Sequence, residues 1–131
     1  PYPGVREALA VLRRAGMKLA VVSNKPHAAA EKLAAFYFPG AFDAVIGAKD
    51  GVPVKPAPDA LYEAMRLLGA TAADAVYIGD SEVDIATAEN AGLLCVSVTW
   101  GFREEAFLRQ RGGAVFAHDG GELTALLLGR S

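Results

Sequence analysis

The stretch that decides the fold is AVYIGDSEVD, residues 75–84. It begins as a short apolar run, stops at Gly79 and continues into a helical pattern, which predicts a parallel strand followed by a helix. Asp80 then lies at the carboxyl end of the strand, where ligands bind in open α/β sheets. Asp84 follows one helical turn later and faces the same way. A hard cation such as Mg²⁺ takes carboxylate oxygens, although a solvated loop would show the same short pattern.

Two other segments favour a phosphate site over a solvated loop. LAVVSNKP, residues 19–26, reads as an apolar strand that ends in small polar side chains. The Ser23 hydroxyl, the Asn24 amide and free backbone N–H groups there can bind phosphate oxygens. In VKPAPD, residues 54–59, prolines hold the backbone around Lys55, and a rigidly held ammonium can stabilise a transferring phosphoryl group. Each segment alone is typical of a surface turn, but their order at successive strand ends indicates one site.

The rest of the chain alternates between helical and strand patterns. A first helix is predicted between Gly4 and Gly16, and the others cover residues 27–36, 58–68, 81–91, 102–110 and 122–128. The predicted strands cover residues 18–23, 43–47, 75–79, 94–99 and 114–116. Repeated βα units of this size predict an α/β fold, a Rossmann-like parallel sheet with helices on both faces.

These motifs resemble those of the haloacid dehalogenase superfamily of hydrolases, and within it the phosphoglycolate phosphatase-like group. The resemblance covers nearly the whole chain and rests on residues 2–5, 23–26, 42–43, 55–56, 79–81 and 98–101. It implies a Mg²⁺-dependent phosphomonoesterase that acts on a small phosphorylated metabolite. The alternative function within this resemblance is that of a β-phosphoglucomutase-like sugar-phosphate mutase.

The resemblance also implies a role for each matching residue. It assigns phosphate binding to the Ser23 hydroxyl, the Asn24 backbone and Lys55, and Lys25 is a further candidate because it follows them in the same segment. Lys55 is the charge-stabilising lysine, and Asp80 is the Mg²⁺ ligand. Asp84 completes the catalytic pair with Lys55 by ordering that lysine or a metal-bound water.

The chain departs from the family pattern in one respect. Such enzymes begin with a strand that ends in Asp-x-Asp, which supplies the nucleophile of an aspartyl-phosphate and a general acid and base. Here the first aspartate is Asp43, at the start of a later strand and so at the wrong end of the sheet. We therefore expect residues 1–131 to be one incomplete α/β core domain that lacks the amino-terminal nucleophile strand and the cap. In the family that strand lies between the strands ending at Ser23 and Gly79.

Several alternatives bear on this reading. A true dehalogenase needs no metal, and its relatives generally carry Ser-Asn where this chain has Gly79-Asp80-Ser81, so Asp80 argues against that activity. The mutases more often show Glu-Asp-Ser followed by glycine at the position of Asp84, so Gly79 and Asp84 favour the hydrolase. A signalling receiver needs an acidic pair after its first strand, where this chain has Ser23-Asn24. The remaining rival is a catalytically inactive fragment that binds phosphate and metal weakly.

The composition of the chain limits the cellular compartments and the classes of partner that are expected. With 131 residues, of which 53% are hydrophobic, the chain can bury one core, and a net charge of −2 argues against nucleic acid as a partner. No apolar run reaches the roughly 20 residues that span a bilayer, so no membrane partner is expected. Cys95 is the single cysteine, which predicts a buried, inert thiol and a reducing, cytoplasmic location. Without the nucleophile strand the sheet has an exposed gap, and this gap provides a route to self-association.

Overall fold

The computed structural model of the protein describes residues 4–101 and 103–129. Within them helices and strands alternate as the sequence predicts. The helices are α1 (Val5–Arg14), α2 (His27–Tyr37), α3 (Asp59–Leu68), α4 (Glu82–Ala91), α5 (Glu105–Gln110) and α6 (Gly120–Leu128). The strands are β1 (Ala20–Pro26), β2 (Ala44–Ala48), β3 (Val76–Gly79), β4 (Leu94–Val98) and β5 (Val115–Ala117).

All strand pairs in the described residues are parallel, which confirms the predicted α/β class. They form two sheets, one with the order β1-β2 and one with the order β3-β4-β5. Ala20 lies opposite Ala44 in the first sheet, and Val76 lies opposite Leu94 in the second. No ladder joins β1 to β3 within residues 4–101 and 103–129. The predicted single sheet is therefore divided at this point.

A cleft of about 1010 Å³ runs between β1 and β3. Its walls are the facing edges of the two strands together with apolar residues of α1, α3 and α6. Lys55, Asp80 and Asp84 line it as well. Because β1 and β3 are not paired with each other, both present an open edge to this cleft. The cleft lies between the two strands where the resemblance implies an additional strand.

The main core lies on the side of β4 and β5. Its buried members are aliphatic residues of α1, β4, β5 and α6, namely Leu12, Val96, Val98, Ala117, Leu123 and Leu127. The helical pattern places Leu33 and Phe36 on one apolar face of α2, but their side chains are 40% and 75% exposed. The helix instead buries the small residues Ala30 and Ala34, which allow it to pack closely on β1 and β2.

The ends of α4 show how local sequence fixes the element nearest the site. The Ser81 hydroxyl accepts a hydrogen bond from the Asp84 N–H at 3.4 Å, which caps the amino end. Gly92 closes the helix at φ 77°, a conformation that glycine adopts without strain. Within the described ranges, no helix is both long and apolar enough to cross a membrane.

Asp43 lies at the amino end of β2, away from the strand ends that carry the site. Its carboxylate accepts the Leu19 N–H at 2.7 Å and a hydrogen bond from the Arg13 guanidinium at 3.1 Å. The backbone hydrogen bond from Leu19 and the charge of Arg13 hold the pKa of Asp43 below its usual value. This residue therefore ties α1 to the start of β1 and β2.

Candidate active site

The carboxyl end of β1 bulges away from its neighbour. Val22 pairs with Ile46 and Pro26 with Ala48, so three residues of β1, numbers 23–25, stand opposite Gly47 alone. Within the bulge the Ser23 Oγ accepts the Lys25 N–H at 3.1 Å. The bulge takes these residues out of the ladder, which leaves their polar groups available at the edge of the sheet.

The Asn24 side chain holds the main chain of Lys55. Its Oδ1 accepts the Lys55 N–H at 3.1 Å, and its Nδ2 donates to the Lys55 carbonyl at 3.4 Å. These two hydrogen bonds resemble those between paired residues of a β-ladder, and they join the loop after β2 to the end of β1. The resemblance implies a backbone role for Asn24, and the structure adds this contact of its side chain.

The Lys55 ammonium lies between β1 and β3 and is largely buried, with 14% of its side chain exposed. It donates to Asp84 Oδ1 at 2.9 Å, to the Tyr77 hydroxyl at 3.0 Å and to the Val22 carbonyl at 3.4 Å. An ammonium has three N–H donors, so all three have partners on this chain. Lys55 is thus a rigidly held positive charge where the two sheets come together.

Asp84 is buried and accepts four hydrogen bonds from side chains and backbone. Its Oδ1 accepts from Lys55 and from the Tyr77 hydroxyl, each at 2.9 Å, and its Oδ2 accepts from the Asp80 N–H at 3.0 Å and the Ser81 hydroxyl at 3.1 Å. Burial acts to raise the pKa of Asp84, but the charge of Lys55 and these hydrogen bonds hold it below its usual value. A Cβ at Gly79 would stand 2.2 Å from the Asp84 Cβ, so only glycine permits this approach.

Tyr77 belongs to this cluster, and sequence reasoning missed it. Its hydroxyl accepts from Lys55 and donates to Asp84 Oδ1. Burial and the nearby Asp84 charge raise the pKa of Tyr77 well above its usual value, so the phenol stays protonated. The available signal was a tyrosine inside an apolar strand, since a buried phenol usually finds a hydrogen-bond partner.

Asp80 lies under the loop that follows β4. The Arg103 N–H donates to the Asp80 carbonyl at 3.2 Å, and the Arg103 guanidinium donates twice to Glu82, at 3.1 and 3.2 Å. This fork lowers the pKa of Glu82. A Cβ at Gly101 would lie 2.2 Å from Asp80 Oδ2, so the loop can pass this close only with glycine at that position. The loop therefore holds Asp80 in place.

The residues at this edge fit a hard cation through Asp80. In the described ranges no group of three or more His, Cys, Asp or Glu side chains could hold a metal ion. Mg²⁺ typically keeps several waters and takes one or two carboxylates besides phosphate oxygens, so Asp80 is suited to supply one ligand. Both Asp84 oxygens already accept two hydrogen bonds each. Asp84 is thereby engaged in holding Lys55 and the start of α4.

Four other side chains have defined positions in the structure. The His27 ring is half-buried, and its Nδ1 accepts the Gly47 N–H at 3.1 Å, so it fastens α2 to β2. Lys25 is exposed at the same edge as Ser23. Trp100 packs against the main core and also lines the cleft. Burial raises the pKa of Cys95 to about 11, in keeping with an unreactive thiol.

The comparisons with known proteins agree with this geometry. Residues 1–92 match the family model of haloacid dehalogenase-like hydrolases. A phosphoglycolate phosphatase of Pseudomonas syringae pv. syringae is 34% identical over 90% of this chain and 44% of its own length. Pyrophosphatase PpaX of Halalkalibacterium halodurans is 37% identical over 84% of this chain and 52% of its own length.

A solved structure from Lactobacillus delbrueckii subsp. bulgaricus, provisionally named a phosphoglycolate phosphatase, superposes with a TM-score of 0.95. It is 43% identical and covers 97% of this chain and 53% of its own. The chain thus spans about half the length of the relatives that it matches. A family model that matches most of the chain, and a fold shared over nearly all of it, lead to one conclusion. The chain belongs to the haloacid dehalogenase-like hydrolases.

Proposed function

We propose that the full-length protein is a Mg²⁺-dependent phosphomonoester hydrolase of small metabolites, of the phosphoglycolate phosphatase type. The observation that carries this proposal is the buried Lys55 ammonium, which joins the end of β1 to the end of β3. A fixed positive charge in a water-poor site stabilises charge that develops on a transferring phosphoryl group. The relatives named phosphoglycolate phosphatase support the substrate class.

Each residue at this edge has a role in the proposal. The Ser23 hydroxyl and the Asn24 N–H bind phosphoryl oxygens, and the Lys25 ammonium adds positive charge at the mouth of the site. Lys55 donates to the phosphoryl group, while Asp84 orients Lys55. Asp80 would hold Mg²⁺, which supplies charge neutralisation and orientation of the phosphate when bound.

The nucleophile comes from outside the described site in this proposal. Asp84 is fully hydrogen-bonded and Asp80 lies under the loop that carries Gly101, so neither carboxylate is placed to attack phosphorus. We propose that an extended segment fills the cleft between β1 and β3, pairs with both open edges and presents the attacking aspartate beside Lys55. Residues 1–131 then form one core domain that is incomplete without this strand, and a cap supplies most of the leaving-group pocket.

The test compares phosphate release by the full-length protein with that of two lysine variants. p-Nitrophenyl phosphate and phosphoglycolate are the substrates, each with and without Mg²⁺. Lys55→Met is expected to lower kcat by about 10²- to 10³-fold. Lys18→Met is the matched control, because the Lys18 ammonium contacts the Leu68 carbonyl at the opposite edge of the sheet. Full activity in Lys55→Met, or equal losses in both variants, would contradict the assignment.

The isolated chain provides a second arm of the same test. Without the nucleophile strand, residues 1–131 are expected to show no steady turnover, since loss of a covalent nucleophile costs on the order of 10⁶ in kcat. They are also expected to bind Mg²⁺ only weakly, through Asp80. Steady phosphate release by this chain that depends on Lys55 would mean that a residue within it is the nucleophile.

Pyrophosphate is the second candidate substrate, because a 37% identical relative is named a pyrophosphatase. The same assay with inorganic pyrophosphate decides between the two by the ratio of kcat/KM values. We also propose a cytoplasmic location, which the single cysteine supports. When nothing else fills the cleft, its open edges provide a route to self-association.

A further inference from the structure

Tyr77, Lys55 and Asp84 form a closed triangle of hydrogen bonds. Lys55 donates to Tyr77 Oη at 3.0 Å and to Asp84 Oδ1 at 2.9 Å, and the Tyr77 hydroxyl completes the triangle by donating to Asp84 Oδ1 at 2.9 Å. The direction of each bond is fixed, because an ammonium can only donate and an ionised carboxylate can only accept. The Tyr77 oxygen must therefore accept a hydrogen bond from Lys55, and the Tyr77 O–H must donate one to Asp84 Oδ1.

The third N–H of Lys55 is held differently. It donates to the Val22 carbonyl at 3.4 Å, the longest of the three contacts and the one made to the open edge of β1. A hydrogen bond of this length is weak compared with the charge-assisted bonds in the triangle. An oxyanion or a strand that enters the cleft beside Val22 competes only with this contact and leaves the triangle intact.

We propose that Tyr77 is a positioning residue that, together with Asp84, fixes two N–H bonds of Lys55 so that the third is offered to the phosphoryl oxygen. The inference rests on the proposed function, in which Lys55 contacts the phosphoryl group. Asp84 alone holds the ammonium by one hydrogen bond, which leaves the flexible lysine side chain able to shift Nζ around that contact. With the phenol as a second acceptor this movement is restricted, and the charge is oriented before substrate arrives.

The test is Tyr77→Phe in the full-length protein, measured as kcat and KM with p-nitrophenyl phosphate. Loss of a group that orients a reacting side chain typically costs about 10- to 100-fold in activity, and we expect the loss in kcat with KM little changed. Tyr62→Phe is the matched control, since the Tyr62 hydroxyl contacts the Asn90 carbonyl at 3.4 Å on an exposed surface. A Tyr77→Phe enzyme with the kcat of the wild type overturns the proposal.

A double-mutant cycle separates positioning from a general packing role. If Tyr77 acts through Lys55, Tyr77→Phe lowers kcat in the wild-type background but has no further effect in Lys55→Met. Equal fold-losses in both backgrounds overturn the proposal. An inactive wild type would instead refute the proposed function, so the two failures are distinguishable.

A spectroscopic measurement keeps the proposal testable should Tyr77→Phe fail to fold. In ¹⁵N-lysine-labelled wild-type protein, one ammonium signal is expected to exchange slowly with water and to disappear in Lys55→Met. A Lys55 ammonium that exchanges as fast as the exposed lysines would show that the triangle does not hold it, and would overturn the proposal.

Discussion

Replacing Asp84 by asparagine keeps the shape of the side chain and removes its charge. In one orientation the new NH₂ group faces the Lys55 ammonium, and in the other it faces the Asp80 N–H. Neither of these donors can turn into an acceptor, so at least one hydrogen bond is lost whichever way the amide sits. The substitution also leaves the Lys55 charge without its partner in a site where only 14% of the lysine side chain is exposed.

The expected cost follows from this geometry. Breaking a buried ion pair by removing one partner costs roughly 3–5 kcal/mol, and the partial exposure of Lys55 places the expected loss at the lower end, about 3 kcal/mol. Urea denaturation of the full-length protein measures the loss at neutral pH. Asp74→Asn is the matched control, because Asp74 is exposed and accepts a hydrogen bond from the neutral Thr71 hydroxyl, so a change within about 0.5 kcal/mol is expected.

Two further measurements can refute the reasoning. The double variant Asp84→Asn, Lys55→Met removes the unpaired lysine charge as well, so it should recover part of the lost stability. A double variant less stable than Asp84→Asn contradicts the reasoning. The pKa of Asp84 lies below its ordinary value of 3.8 in the folded protein. The stabilisation by Asp84 is therefore fully present above that pH and is lost as the pH falls through the lower folded value. A stability difference that grows with acid would have the wrong sign.

Three other outcomes are expected. Gly101→Ala places a Cβ 2.2 Å from Asp80 Oδ2 and should lower phosphatase activity at least about tenfold, whereas Gly121→Ala, whose Cβ meets nothing nearer than 3.3 Å, should not. Asp43→Asn should lower the free energy of unfolding by about 1 kcal/mol without changing kcat, because it acts at the opposite end of the sheet. Cys95, with a pKa raised to about 11 by burial, should react with iodoacetamide at pH 8 far more slowly in the folded protein than in urea.

The sequence predicted the strand ends well because apolar runs and their polar stops are local signals. Strand β3 begins one residue later than predicted, and α4 begins at Glu82 where the pattern suggested residue 81. The strand predicted over residues 18–23 instead runs through Pro26, since its last residues bulge and pair again only at Ala48. The alternation of apolar and polar residues that predicts a strand is absent from residues 23–25, which are all polar, so no signal in the sequence indicated the bulge.

The contacts missed from sequence are those between distant segments. The Arg103 to Glu82 fork joins residues 21 apart, and the Asn24 pairing with Lys55 joins residues 31 apart. Local pattern carries no information on which polar groups meet across the fold. The role of Tyr77 was missed for the same reason, although its strand was correctly placed. Phe36 illustrates a different error, because its helical spacing with Leu33 predicts a buried apolar face, whereas its side chain is exposed.

The division of the sheet distributes the site over two bodies of structure. Ser23 and Asn24 belong to the sheet of β1 and β2, whereas Asp80 and Asp84 belong to the sheet of β3, β4 and β5. The Lys55 ammonium is hydrogen-bonded to Tyr77 and Asp84, so an anion that binds both Ser23 and this ammonium links the two halves, and its binding energy adds to the cohesion of the whole fold. A ligand at 100 times its dissociation constant contributes about 2.7 kcal/mol to stability. Candidate substrates can therefore be found by the rise in melting temperature that they cause. Such a screen requires no turnover, so it also detects ligands that the enzyme hydrolyses very slowly.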